Sequence, residues 1–158
     1  MKEFHAETEI NAPPELVWQV IADLASYPEW NPFNTKAKGE LKVGEKLRMT
    51  YTTPGGENWR KYANKRANVR HSNVISVIPC KEWSHRGRIP LLLSVTATFK
   101  LEQISENRTR FIQHGIFTGL ATRFFSDEFF EGGRIGSEET GLALKKRVEK
   151  VSSPPAQD

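Results

Sequence analysis

The sequence of 158 residues predicts an α+β fold, in which an antiparallel sheet is followed by a long C-terminal helix. Three observations predict it. Apolar residues alternate with polar ones over several short segments, which is typical of strands with one buried face. Short connections separate these segments, as in antiparallel meanders. Toward the C-terminus the apolar residues instead recur with the period of a helix. We therefore expect one domain over residues 1–151.

The first predicted strand covers residues 4–10, where apolar residues or threonine alternate with histidine or glutamate. A helix follows it, because Pro13 or Pro14 can occupy a first helical turn, where a missing N–H costs little. Apolar residues at helical spacing continue this helix to about Ala25. Pro28 then prevents a regular continuation, since the residue before a proline disfavours helical backbone angles.

Five further segments have the pattern of strands, at residues 47–52, 73–77, 82–86, 95–101 and 109–118. Turn residues separate several of them. Gly44 lies before the first segment, Pro54-Gly55-Gly56 ends it, and Glu106-Asn107 marks a hairpin between the last two. Strands that follow one another with such short connections predict a sheet in which sequence neighbours pair.

The C-terminal helix is predicted over residues 137–151, where Leu144 and Val148 lie on an apolar face and charged residues cover the rest. The preceding residues 124–136 combine four phenylalanines with three glycines, and we expect them to form a flexible wall. Residues 152–158 contain two prolines and are expected to be a disordered tail. The spacing also predicts that five apolar side chains are buried: Leu16, Val20, Phe99, Leu101 and Val148.

The composition excludes several classes of protein. The longest wholly apolar run has three residues, far short of the ~20 that a transmembrane helix needs, so a cytoplasmic protein is expected. Cys80 is the only cysteine, which excludes an internal disulfide and a cysteine-based zinc site. The net charge of +4 comes largely from basic residues between Arg60 and Arg70. We interpret this segment as a solvated loop face or as a docking site for an acidic partner, and no nucleic acid partner is expected.

The sequence resembles, over nearly its whole length, the polyketide cyclase/dehydrase branch of the START-like superfamily, also called SRPBCC, and most specifically in its N-terminal part. The resemblance is carried by residues 10–18 (INAPPELVW), Asp23 and residues 27–33 (YPEWNPF), with weaker matches at residues 99–101 and 109–111. It implies a helix-grip fold: a curved antiparallel sheet of about seven strands wrapped around a long C-terminal helix, with two short helices after the first strand. It also implies a ligand cavity between sheet and helix, unless aromatic side chains fill that space.

Strand alternation assigns candidate residues to the concave face, if the face of Phe99 and Leu101 is the inner one. With Phe129 added from the aromatic segment, nine side chains become candidate ligand contacts: Met49, Tyr51, Trp83, His85, Phe99, Phe111, Gln113, Phe117 and Phe129. A few polar groups in an apolar enclosure can orient a small molecule. Each of these polar groups can also satisfy a buried neighbour instead, and a register error of one residue would turn it outward.

The sequence lacks the common motifs of metalloproteases, serine hydrolases and nucleotide-binding proteins. The chain has no H-E-x-x-H, no G-x-S-x-G, no phosphate loop and no G-x-G-x-x-G motif. Its four histidines lack metal-ligand spacing, so neither a metal nor another cofactor is expected, and catalytic residues stay unassigned. The pattern favours a carrier or sensor for a small apolar or amphipathic ligand. Two alternatives stay open: a cyclase or dehydratase acting on a polyketide-like or aromatic substrate with His85 as acid or base, and an interaction protein that uses residues 60–70.

Overall fold

A computed structural model describes residues 1–51 and 69–152 of the chain. The strands are β1 (Lys2–Ile10), β2 (Asn34–Lys38), β3 (Lys46–Tyr51), β4 (Val69–Ile78), β5 (Glu82–Ile89), β6 (Leu93–Ser105) and β7 (Arg108–Thr118). The helices are α1 (Pro14–Ala22), α2 (Tyr27–Trp30) and α3 (Asp127–Ser152), with 3-10 turns at Leu24–Ser26 and Leu120–Phe124. The predicted α+β class, with a seven-stranded sheet and a long C-terminal helix, is confirmed.

The seven strands form one sheet in the order β1-β7-β6-β5-β4-β3-β2. Strands β2 to β7 are a meander of neighbours, and β1 joins the sheet beside β7, with Phe4 opposite Gly115. The sheet curls around α3 as a half-barrel. The short helices α1 and α2 follow β1, as the resemblance implied. This arrangement gives the sheet a concave face that α3 covers.

One strand is absent from the predicted pattern, and several others are longer than predicted. The pattern does not predict β2, because its residues NTKAK are mostly polar and it lies at the edge of the sheet with only Asn34 and Ala37 buried. Strand β4 begins at Val69 rather than at residue 73. Its earlier start adds Ser72 to the inner face, beside the buried Val74.

The hydrophobic core fills one end of the concave face. Side chains of the sheet, α1 and α3 meet there, among them Met49, Trp83, Leu101, Phe111, Leu144 and Val148. Packing of this kind supplies most of the stabilisation of a domain of this size, at roughly 25 cal/mol per Å² of buried apolar surface. The other end of the concave face is not filled in this way.

The five residues predicted to be buried differ in exposure according to whether they lie inside the core or at its margin. Leu101 and Val148 are buried as predicted, whereas Leu16, Val20 and Phe99 are half-buried and pack against the core. Helix α1 turns its neighbouring positions 17 and 21 fully inward, so Leu16 and Val20 lie at the margin of its apolar face. Phe99 keeps some exposure because it lies where the core ends.

Helix α3 begins at Asp127, well before the predicted start at Ser137, so the glycine-rich segment is part of a continuous helix. The prediction that residues 124–136 form a flexible wall is therefore wrong for residues 127–136, which are helical. A Cβ atom on Gly133 would lie 2.8 Å from the ring of Phe4, and one on Gly115 would lie 2.5 Å from the same ring. These two glycines therefore let α3 and β7 approach the Phe4 ring closely.

Several sequence predictions fall on residues that the structure does not describe. They concern residue 52 of the predicted strand 47–52, the turn at Pro54-Gly55-Gly56, residues 60–68 of the basic segment and residues 153–158 of the predicted tail. Ser152, the first residue of the predicted tail, is the last residue of α3. The domain limit at residue 151 stays a prediction.

Candidate functional site

A cavity of about 590 Å³ occupies the end of the concave face that the core leaves unfilled. It lies between the sheet and the first half of α3. Its lining is mostly apolar, and its volume is in the range of small-molecule sites, roughly 300–1,000 Å³. Small residues make room for it, since Gly87 and Ala97 stand on its wall where larger side chains would fill the space.

Aromatic rings close one end of the cavity. Phe117 of β7 makes edge-to-face contacts with Phe125, Phe129 and Phe130, with ring centroids 6.3, 5.6 and 5.2 Å apart. Phe125 and Phe129 line the cavity together with Ile89 from the end of β5. Ring pairs in this geometry add about 0.5–1.5 kcal/mol to the burial of their surface. The aromatic segment thus packs as an ordered wall.

Exposed apolar side chains continue around this end of the molecule. They are Ile89, Leu91, Leu92, Leu120 and Phe124, of which Leu91 is 95% exposed. The backbone N–H of Ala121 donates to the carbonyl oxygen of Leu92 at 3.0 Å, which holds the 3-10 turn beside the β5–β6 turn. An apolar molecule that reaches this end of the cavity therefore meets an apolar rim.

The structure places most of the predicted contacts on the cavity wall. Seven of the nine line it: Tyr51, His85, Phe99, Phe111, Gln113, Phe117 and Phe129. Met49 and Trp83 share the inner face but are fully buried in the core. The Trp83 ring stacks on Phe99 with centroids 4.4 Å apart, at the inner end of the cavity. Alternation predicts which face of the sheet a side chain occupies, but not whether core or cavity lies over that part of the face. These two residues are therefore reassigned to the core.

His85 is a buried ionisable group on β5. Its ring stacks near Trp83 and Phe99, with centroids 5.4 and 6.1 Å away. Neither ring nitrogen has a hydrogen-bond partner among the described residues. Burial lowers the pKa of His85 from its ordinary value of 6.5 to about 4, because the charged form loses its hydration. The imidazole is therefore neutral at pH 7.

Ser72 is a second buried polar side chain on the cavity wall. It is buried, and its hydroxyl oxygen lacks a partner within the part of the chain that the structure describes. The register of β4 and β5 puts Ser72 opposite Gly87 and one diagonal step from His85. Leaving such a group unpaired costs about 1–3 kcal/mol. Sequence reasoning missed Ser72, although its parity with Val74 was a usable signal. We call Ser72, Gly87 and His85 the β4–β5 wall.

Polar groups that face α3 are paired inside the protein. The Gln113 side-chain nitrogen donates to the carbonyl oxygen of Ser137 at 2.5 Å. The Thr140 hydroxyl lies 2.9 Å from the Gly136 carbonyl oxygen and 3.2 Å from the Asn31 side-chain oxygen. These contacts tie the helix to β7 and to the turn after α2.

Asn31 forms the contact between α3 and the turn after α2. Besides Thr140, its side-chain oxygen accepts hydrogen bonds from the backbone N–H groups of Phe33 and Asn34, at 3.1 and 2.8 Å. It therefore satisfies the backbone where α2 turns into β2. We call Asn31, Gln113, Ser137 and Thr140 the helix-facing wall.

Tyr51 lines the cavity at the end of β3. Its ring packs on Phe33 with centroids 5.3 Å apart. Burial raises the pKa of Tyr51 to about 12, against the opposing effect of the Arg70 charge. Its hydroxyl is therefore protonated at neutral pH and can donate a hydrogen bond.

Metal chemistry has no candidate centre in residues 1–51 and 69–152, where no group of three or more His, Cys, Asp or Glu side chains could hold an ion. The helices of these same residues are also too short or too polar to cross a membrane.

Comparison with known families identifies the family of the chain. The model of the family described as polyketide cyclase / dehydrase and lipid transport matches residues 1–149. The chain belongs to this family. The resemblance seen in residues 10–33 is thereby confirmed. No curated protein matches the sequence of this family member.

Solved structures share the fold across almost the whole chain. The Zhui aromatase/cyclase from Streptomyces sp. R1128 has a TM-score of 0.72 at 16% identity, over 99% of both chains. A START superfamily protein from Mycobacterium smegmatis has a TM-score of 0.68 at 14% identity, over 95% of this chain and 99% of that one. The di-domain ARO/CYC BexL from the BE-7585A biosynthetic pathway has a TM-score of 0.71 at 18% identity, over 98% of this chain and 48% of its own. At these identities the likeness establishes the fold.

Proposed function

We propose that this member of the family binds a small apolar or amphipathic molecule, a lipid among the candidates, in the cavity between sheet and α3, and acts as its carrier or sensor. The observation that supports the proposal most directly is the cavity of about 590 Å³ with a largely apolar lining. Transfer of apolar surface from water into such an enclosure is favourable by roughly 25 cal/mol per Å². The lipid transport part of the family description is consistent with such cargo.

A second candidate is a cyclase or dehydratase acting on a polyketide-like or aromatic substrate in the same cavity. The likeness in fold to the aromatase/cyclases favours it. Two features of the cavity weigh against it. No Asp or Glu among the described residues lines the cavity. With a pKa of about 4, His85 is also a weak base at neutral pH, and efficient general bases have pKa values near the working pH.

Native mass spectrometry of the protein as purified tests the binding proposal. We expect a retained apolar compound whose mass is released on denaturation. A carrier returns that compound unchanged after incubation, whereas a dehydratase removes one water molecule from it. Titration with the fluorescent apolar dye Nile red gives an independent measure of occupancy, because the dye emits strongly in a dry enclosure.

A matched pair of variants localises the binding. Ala97 lines the cavity on β6, so Ala97→Trp should fill part of it and weaken Nile red binding by at least about tenfold. Ser94 lies on the same strand at opposite parity and is absent from the cavity lining. Ser94→Trp should leave the affinity unchanged. Equal affinities for the dye in Ala97→Trp and in the unmodified protein would remove the cavity as the binding site.

A further inference from the structure

The β4–β5 wall retains two polar side chains that the fold itself does not use. His85 and Ser72 are buried, and the described residues provide no partner for the imidazole nitrogens or for the hydroxyl oxygen. A buried polar atom without a partner lowers the stability of the fold. Stability alone therefore favours an apolar residue at both positions, and the presence of polar ones points to a role in binding.

The surroundings leave space beside these two side chains. Gly87 follows His85 on the inner face of β5 and lies opposite Ser72, and the register places Ala97 directly opposite His85. A Cβ atom on Gly87 would lie 3.9 Å from the Cβ of Ser72 and 3.1 Å from the carbonyl oxygen of His71. Gly87 and Ala97 both stand on the cavity wall with Ser72 and His85. The small neighbours thus keep the polar pair next to the cavity.

The chemistry of the pair selects a kind of ligand group. A neutral imidazole has one donor and one acceptor nitrogen, and a serine hydroxyl can act in either role. A ligand hydroxyl also donates once and accepts, so it can bond to both side chains together. A carboxylate only accepts. It would also gain little from His85, whose burial opposes the protonated, charged ring.

Three other polar residues of the lining are bonded within the protein. The Gln113 nitrogen is bonded to the helix backbone, and Thr140 and Asn31 are bonded to each other and to backbone groups. The hydroxyl of Tyr51 lies on β3, at the opposite side of Ser72 from His85 in the strand order. Within the described part of the chain, Ser72 and His85 are thus the cavity-lining side chains that are buried and have polar atoms without a hydrogen-bond partner.

We propose that Ser72 and His85 form a polar anchor in the cavity, and that the cavity takes an apolar molecule bearing an uncharged phenolic or alcoholic hydroxyl, which they bind at the β4–β5 wall. This inference rests on the proposed function, since it requires the cavity to admit an apolar molecule. It adds the class of ligand and the residues that orient it.

Three probes with one bicyclic frame test the anchor: 2-naphthol, 2-methylnaphthalene and 2-naphthoate, titrated at pH 7 by isothermal calorimetry. We expect 2-naphthol to bind about tenfold more tightly than 2-methylnaphthalene, which corresponds to one or two net hydrogen bonds. His85→Phe should lower 2-naphthol affinity about tenfold and leave 2-methylnaphthalene affinity within about twofold. Ser72→Ala should lower 2-naphthol affinity about threefold, with 2-methylnaphthalene again unchanged.

Counterparts away from the cavity serve as controls, one of them exposed (His5) and one half-buried (Ser76). His5 on β1 is exposed and pairs with Glu7, and Ser76 lies further along β4, and neither lines the cavity. His5→Phe and Ser76→Ala should leave all three affinities unchanged. Circular dichroism checks that each variant keeps the fold.

The outcomes separate the two proposals. Equal affinities of 2-naphthol and 2-methylnaphthalene, unaffected by His85→Phe, would overturn the anchor and leave the apolar cavity in place. Preference for 2-naphthoate would overturn the anchor as well, because it would indicate recognition of an anion by Arg70 or Arg88, which also line the cavity. Failure of all three probes and of Nile red to bind would overturn the proposed function and the anchor with it.

Discussion

The two polar regions of the cavity differ in whether their hydrogen bonds are already made. On the helix-facing wall, Gln113 is bonded to Ser137, and Asn31 accepts from Thr140 and from two backbone N–H groups. On the β4–β5 wall, Ser72 and His85 have no partner among the described residues. Both regions place polar atoms beside an apolar cavity, so position alone does not distinguish a structural group from a ligand contact. Among the side chains that line the cavity, the state of the hydrogen bonds does; the Trp83 Nε1 also has no partner among the described residues, but Trp83 lies in the core.

The difference also has a thermodynamic consequence. Deleting a paired group leaves its partner unpaired and destabilises the protein, whereas deleting an unpaired group costs nothing or stabilises it. Substitutions on the two walls should therefore change the free energy of unfolding in opposite directions.

The largest effect is expected for Asn31→Ala on the helix-facing wall. The substitution removes an acceptor shared by two backbone N–H groups and the Thr140 hydroxyl. We expect the free energy of unfolding to fall by roughly 3–4 kcal/mol, at about 1–3 kcal/mol for each buried donor left unpaired. Urea denaturation measures it. Asn31→Asp keeps an acceptor oxygen and should lose less than half as much. A loss below about 0.5 kcal/mol in Asn31→Ala would contradict a structural role for this wall.

The second prediction concerns how acid pH lowers the free energy of unfolding through His85 in the β4–β5 wall. The pKa of His85 is about 4 in the folded protein and about 6.5 when the ring is exposed on unfolding. Protonation therefore favours the unfolded state. The contribution is constant above pH 6.5 and destabilises progressively between pH 6.5 and pH 4, by up to about 3 kcal/mol.

A comparison with His85→Phe isolates this contribution from that of the carboxylates. The difference in free energy of unfolding between the protein and the variant should change by up to about 3 kcal/mol in favour of His85→Phe as the pH falls from 6.5 to 4. At pH 7 the variant should be at least as stable as the unmodified protein, because no partner is lost. Parallel stability curves over this pH range would mean that the imidazole is solvated or paired.

Packing on the helix side gives the third prediction. Gly133→Ala adds a methyl group 2.8 Å from the ring of Phe4, and we expect a loss of about 2 kcal/mol from overpacking, reduced by the better helix propensity of alanine. The smaller side chain in Phe4→Leu should relieve the contact. A double-mutant cycle on thermal or urea unfolding then shows positive coupling between the two positions. Additive losses would indicate that Gly133 does not set the helix-to-sheet distance.

The sequence predicted the fold well because the alternation of residues in β1, β6 and β7 is strong and the connections are short. It also predicted the inner face of the sheet, since parity places His85, Gln113 and Phe117 correctly. Parity does not predict, however, whether an inward side chain lies in the core or beside the cavity. Met49 and Trp83 lie on the right face but in the core, because the division between core and cavity depends on which side chains of other strands are small.

Other features depended on contacts that a sequence does not display. The glycines of residues 132–136 suggested flexibility, but Gly133 is buried against Phe4 within a regular helix. Ser72 escaped notice because the predicted strand began one residue after it. The hydrogen bond of Gln113 to Ser137 joins β7 to α3 and has no local sequence signature. Whether a polar side chain is paired becomes visible only once the sheet and helix are assembled.

The smallest prediction compares one hydroxyl from each wall. Thr140→Val removes a hydroxyl that is bonded within the helix-facing wall, with little change of shape, and should lower the free energy of unfolding by about 1 kcal/mol. Ser72→Ala removes a hydroxyl without a partner in the described structure and should change stability by less than about 0.5 kcal/mol, on the stabilising side. Both hydroxyls belong to buried residues on the cavity lining, so the difference between the variants isolates the effect of pairing. Urea denaturation without added ligand resolves a gap of this size when both variants are measured together. An equal loss in the two variants would mean that Ser72 is bonded in the folded protein, and the contrast between the walls would disappear.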